Sequence, residues 1–152
     1  MFRTIVVGTD GSERAARAVS RAGELAKTCG ATLHVIHAYH GIESSVATAM
    51  AAGAVAVAPP NFGDLAVEED AEENKMLEAQ VKAVRDSGVD VQCHAVAGSA
   101  VDVILDVADR VGADLIVTGN RGMTGGKRFL GSVPNTVAHH AQCAVMIVPT
   151  DT

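Results

Sequence analysis

Leu115-Ile-Val-Thr-Gly119-Asn-Arg-Gly122, followed a short basic segment later by Gly131-Ser-Val-Pro-Asn135, decides the fold of this chain. Its first four residues are an apolar, β-branched run of the kind that forms a buried strand. The run stops at a glycine. A loop with further glycines and the cations Arg121, Lys127 and Arg128 follows, and Gly131-Ser132 then opens a helix. Backbone N–H groups, missing Cβ atoms and the partial positive charge of a helix N-terminus together make an anion site. The arrangement predicts phosphate binding. The plainer reading is a connection whose glycines only turn the chain; the preceding strand, the restarted helix and the intervening cations weigh against it. No GxxxxGK[ST] is present, because Lys127 is followed by Arg128, and the first strand ends Gly8-Thr-Asp-Gly11 without GxGxxG. The segment is therefore neither a P-loop nor a dinucleotide fingerprint.

Outward from this segment, strand and helix patterns alternate. Thr4–Gly8 is a β-branched run with a turn, Thr9-Asp-Gly-Ser12, after it. Ala15, Ala18, Val19, Ala22, Leu25 and Ala26 then fall on one helix face that Gly30 closes. Thr32–Ala38 reads as a second strand and Val89–Val96 as a third, with Ala113–Thr118 and Ala144–Val148 as the fourth and fifth. Between the second and third, residues 40–63 show no period and carry Gly41, Gly53, Pro59, Pro60 and Gly63. They read as a flexible insertion. A helix is expected from Asp64, its acidic stretch of residues 68–73 a solvated start favoured by the macrodipole. Ser99 opens another helix that Gly112 ends, and a last one runs from about Ser132 to His140. Ser12, Ser99 and Ser132 all read as caps. The prediction is an α/β fold: one domain over residues 1–152, an open, doubly wound, mostly parallel five-stranded sheet with helices on both faces. Ligands bind such sheets beyond the carboxyl ends of the strands. That rim holds Gly8–Ser12, Ala38–Gly41, Ala97–Ser99 and Thr118–Gly122.

Composition agrees. Of 152 residues, 48% are apolar and only 3% aromatic, so the core is built from Val, Ala, Leu and Ile. A net charge of −6 argues against nucleic acid or an anionic membrane as a partner. The most apolar stretch, Val46 to Ala58, is too short to span a bilayer. Cys29, Cys93 and Cys143 are isolated, which fits a reducing compartment, and Met1-Phe-Arg-Thr leads straight into a strand. A cytoplasmic protein is expected. His34, His37 and His40 recur every third residue, a spacing that cannot put all three on one strand face, so no metal site is expected. His139 and His140 suit the carbonyls of a helix end. Asp10 has two readings of equal weight: it orders its turn, or it accepts a hydrogen bond from a ribose or base. A receiver domain is set aside, since the third strand ends Ala95-Val-Ala-Gly98 with no acidic cluster. No Ser-His-Asp or Cys-His arrangement emerges.

Ile5-Val-Val-Gly-Thr-Asp-Gly-Ser12, Gly112-Ala-Asp-Leu-Ile-Val117, Gly119-Asn-Arg-Gly-Met-Thr-Gly125 and Leu130-Gly-Ser-Val-Pro-Asn135 resemble the universal stress protein family over nearly the whole chain. Its nucleotide-binding branch carries G-x2-G-x9-G-[ST], which Gly119, Gly122 and Gly131-Ser132 match except that residues 123–130 number eight. The resemblance implies a Rossmann-like fold of the adenine nucleotide alpha hydrolase type, and ATP, AMP or cyclic AMP as ligand. Gly8, Thr9 and Asp10 would contact adenine or ribose, and Ala38 would meet the adenine through its backbone. Gly119, Asn120, Arg121 and Gly122 would wrap ribose and phosphates, and Gly131, Ser132 and Val133 would cap the phosphates. Mg²⁺ or Mn²⁺ would bind only through those phosphates. It further implies a homodimer paired along Ala144–Val148 and a role in stress response or regulation. Turnover would be little or none, at most weak ATP hydrolysis or autophosphorylation.

Overall fold

The computed structural model describes residues 1–120 and 130–150. Among them are five strands, β1 (Thr4–Thr9), β2 (Thr32–Tyr39), β3 (Val91–Ala97), β4 (Leu115–Gly119) and β5 (Ala144–Val148). Five helices accompany them: α1 (Glu13–Cys29), α2 (Ile42–Ala51), α3 (Phe62–Asp86), α4 (Ala100–Val111) and α5 (Ser132–His140). The strands form one sheet in the order β3-β2-β1-β4-β5, and every pairing is parallel. β1 lies at the centre, with Thr4 to Thr9 opposite Thr32 to His37 on one side and Ile5 to Val7 opposite Leu115 to Val117 on the other.

Burial on both faces explains why β1 reads as an unbroken apolar run. Ile5 and Val7 pack with α1 and α3, while Val6 packs with Ile104 and Val107 of α4 and Val137 of α5. Each such side chain contributes about 1.5–3 kcal/mol by leaving water. The α1–α3 contact is close enough that a Cβ on Gly23 would lie 2.6 Å from Val84 Cγ1. At the opposite edge of the sheet from the ligand rim, the Asp114 carboxylate accepts from the backbone N–H groups of Arg3 and Thr4. That contact fixes where β1 begins.

Helix ends follow local chemistry. Ser12 and Ser99 accept from the N–H groups of Ala15 and Asp102, and Gly30 and Gly112 close α1 and α4 in left-handed conformations. Ser132 departs from expectation: Gly131 occupies the capping position of α5, no side chain caps it, and Ser132 is its first helical residue. Residues 40–63 also differ from the expected insertion. Ile42–Ala51 form α2, and α3 begins at Phe62. α2 buries no residue, so it leaves no apolar stripe for a period to reveal. His140 approaches the carbonyl of Thr136, as expected for a helix end.

The acidic stretch of α3 does more than solvate a helix start. Glu69 accepts from the Ile42 N–H, Asp70 accepts from the Tyr39 hydroxyl, and Glu73 lies 2.9 Å from His37 Nε2. Three carboxylates thus tie α3 to the end of β2 and the start of α2.

His34 and His37 face opposite sides of the sheet. His34 stacks on His94 of β3, with Nδ1 and Nε2 of the two rings 2.9 Å apart. Burial holds both imidazoles below their ordinary pKa, against the pull of Asp90 on His34 and reinforced at His94 by His34 and Arg110. A folded state that disfavours the charged form binds fewer protons than the unfolded chain. Stability conferred by the pair is therefore complete above about pH 6.5 and falls as the pH drops below that unfolded value. Urea unfolding from pH 8 to pH 5 should show this decline, and His94→Gln should flatten it.

Candidate functional site

Strand order reverses between β1 and β4, and there the ends of the strands open into a cavity of about 550 Å³. That volume lies within the range of small-molecule sites, about 300–1,000 Å³. Its floor is Gly8, Thr9 and Asp10 of the β1 end with Thr118 and Gly119 of the β4 end. On one side stand Ala38 and His40 after β2, together with Gly98, Ala100 and Ile104 from the β3–α4 junction. Ser12, Arg14 and Ala15 of the first turn of α1 form a second wall, and Val133, Pro134 and Thr150 a third.

Close packing makes the floor. A Cβ on Gly8 would stand 2.8 Å from Ile104 Cδ1, so α4 sits directly on bare backbone there. Gly11 turns the chain with φ 78°, a left-handed value that suits glycine, and brings Ser12 to the start of α1. Asp10 Oδ1 accepts from the Ser12 N–H at 3.0 Å, so the turn-ordering reading is met by one carboxylate oxygen, while the residue also lines the cavity.

A polar network supports the β1 end from below. Thr9 Oγ1 donates to Gln80 Oε1 at 2.6 Å and accepts from the Gly11 N–H. His37 Nδ1 donates to the Thr9 carbonyl at 3.0 Å, while its Nε2 faces Glu73.

Of the residues expected at the site, Gly8, Thr9, Asp10, Ala38, Gly119 and Val133 converge on the cavity. Gly131 and Ser132 stand at the start of α5 beside Val133. Asn120 is buried and its side chain has a specific partner: Oδ1 accepts from both the N–H and the hydroxyl of Thr150, each at 2.9 Å. Its own N–H donates to Val148 O. Gly119 packs against the same residue, since a Cβ there would lie 3.0 Å from Thr150 Cγ2. Arg17 completes the anchor by donating to the Thr150 carbonyl. Arg121, Gly122, Lys127 and Arg128 lie outside the described residues.

His40 and Thr118 lie within segments already placed on the rim, though neither was named as a site residue. Sequence reasoning missed Arg14 and Thr150: Arg14 stands two residues beyond the rim segment that ends at Ser12, which was a signal for it, whereas Thr150 follows a proline and offered none.

Burial pushes the Cys93 thiol up to about 11, so it is not a thiolate nucleophile near neutral pH. No group of three or more His, Cys, Asp or Glu among the described residues could hold a metal ion. No described helix is long and apolar enough to cross a membrane. The arrangement suits reversible binding of a small ligand.

Comparison with known proteins gives the same picture. Residues 1–149 match the model described as the universal stress protein family. The chain is 34% identical over 149 residues to universal stress protein YxiE of Bacillus subtilis, covering 97% of this chain and 99% of that one. It also resembles a solved universal stress protein in complex with cAMP, at 34% identity and TM-score 0.71, covering 99% and 98% of the two chains. A universal stress protein from Archaeoglobus fulgidus in complex with dAMP is 26% identical with TM-score 0.65, covering 95% and 96%.

Asn120→Ala should leave both Thr150 donors unmet in a buried place. The expected loss is about 2 kcal/mol of unfolding free energy, measurable by urea denaturation.

Proposed function

The chain belongs to the universal stress protein family, and from that premise we propose that its cavity binds an adenine nucleotide, ATP, in stress response or regulation. The observation that carries this reading is the cavity itself. It has nucleotide dimensions, lies where the strand order reverses, and is floored by the carboxyl ends of β1 and β4 at Gly8 and Gly119. The apolar side formed by Ala38, Ala100 and Ile104 suits a base, and the first turn of α5 at Val133 suits phosphates. The glycine loop from Gly119 through Arg121 and Gly122 to Gly131 and Ser132 supplies the remaining phosphate contacts. Mg²⁺ or Mn²⁺ enters only with the phosphates.

A second reading, AMP or cyclic AMP as the ligand, is favoured by one observation: the similar structure at 34% identity is a complex with cAMP. The reading expects little or no turnover; Asp10 and His40 line the cavity, and the Asp10 carboxylate already orders the turn at Ser12. The reading places the protein in the cytoplasm, in keeping with three separated cysteines, and as one domain over residues 1–152.

Calorimetric titration of protein stripped of carried-over ligand, with ATP, AMP and cyclic AMP, tests the assignment. Saturable binding of ATP is expected, weakened several-fold by Gly122→Ala, with ADP release at background. Absence of heat with all three nucleotides would sink it.

β5 is the basis for a homodimer. It pairs with β4 on one edge only among the described residues, and Met146 and Ile147 are 39% and 36% exposed on it. An apolar edge of this kind is a template for pairing with another copy. Sedimentation should show a dimer that Ile147→Lys shifts to monomer.

A further inference from the structure

Thr118 is the one described residue whose buried side-chain hydroxyl has no hydrogen-bond partner. It is 3% exposed, and it lines the cavity at the end of β4. Buried hydroxyls are nearly always paired, because a donor taken out of water without a partner is costly. An orphan in a cavity wall points to a partner that arrives with the ligand.

Its position indicates which part of the ligand that is. Ile116, two residues earlier on β4, packs with the α4–α5 side of the sheet, so strand alternation sets Thr118 on that same side. Thr118 follows Val117, which pairs with Val7, so it stands beside Gly8 at the middle of the floor. The base-sized apolar side lies toward β2 and α4, and the first turn of α5 lies opposite. A nucleotide spanning the two sets its sugar and the first phosphate above Thr118. The hydroxyl makes no bond that must be broken. Rotation about Cα–Cβ exchanges it with the methyl group and turns the donor toward the ligand.

We propose that Thr118 is a specificity-determining residue of the nucleotide site, its hydroxyl donating to an oxygen of the phosphate borne on the ligand's sugar. This rests on the cavity being the nucleotide site. It adds a contact that favours nucleotides, including 3′,5′-cyclic ones whose anionic oxygens lie against the sugar, over the bare nucleoside.

The test compares wild type, Thr118→Val and Thr118→Ser by calorimetric titration with AMP, cyclic AMP and adenosine, and by melting without ligand. Valine keeps the shape and removes only the donor. AMP and cyclic AMP should bind Thr118→Val about tenfold more weakly, the change expected from one hydrogen bond to a charged group. Adenosine affinity should change less than about twofold. Thr118→Ser should restore nucleotide affinity, and ligand-free Thr118→Val should melt no lower than wild type, since it loses no internal bond. Three results overturn the proposal: wild-type nucleotide affinity in Thr118→Val, an equal loss for adenosine, or a lowered melting temperature in the ligand-free variant. Wild type that binds no adenine nucleotide would instead sink the assignment of the cavity.

Discussion

Contact between Ile104 and the bare backbone of Gly8 is the constraint on which the rest of the site depends. With a side chain at Gly8, the first added carbon would fall 2.8 Å from Ile104 Cδ1, so Ile104 would have to give up its place against the floor. α4 at that depth brings Gly98 and Ala100 over the strand ends and gives the cavity its apolar side. The parallel sheet supplies the second half of the geometry. Its order turns back at β1 and β4, so neighbouring connections leave on opposite faces and a gap opens between them. Packing and topology thus create the cavity before any polar group is considered.

The polar groups then hold its edges. Beneath β1, His37 and Gln80 fix the carbonyl and hydroxyl of Thr9, and Glu73 holds His37 from α3. Beside β4, Asn120 and Arg17 fix Thr150. The two networks use buried hydrogen bonds whose partners are largely satisfied, so they set positions more firmly than exposed ion pairs such as Arg21–Glu24. These bonds hold the floor of the cavity in place. A ligand entering it meets a surface already ordered, which lowers the entropy lost on binding.

How much was legible follows from how each element is stabilised. β1 and β4 are buried on both faces, so their apolar runs could be read directly, and Ser12, Gly30, Ser99 and Gly112 marked helix ends through local chemistry. Five of the six expected site residues that line the cavity stand at or just past strand ends, a rim that follows from the alternation of strand and helix, and the sixth, Val133, came from the family motif. α2 was not legible, since it buries nothing and its stability comes from contacts distant in sequence, including Glu69. The roles of Glu69, Asp70 and Glu73 were hidden for the same reason: a carboxylate in a charged helix looks alike whether it meets water or a residue 27–36 positions away. Asn120 shows the converse. A motif position that suggests ligand contact spends its side-chain oxygen on Thr150.

Thr150 sits in the cavity wall, while Met1 is 99% exposed at the start of a strand that begins on the far side of the sheet. Six residues of extended chain separate the two ends of β1, roughly 20 Å. A fluorophore attached at position 150 sits beside the chamber and disturbs the bonds at Asn120. The same label at position 1 reports on the molecule without touching the place where its ligand goes.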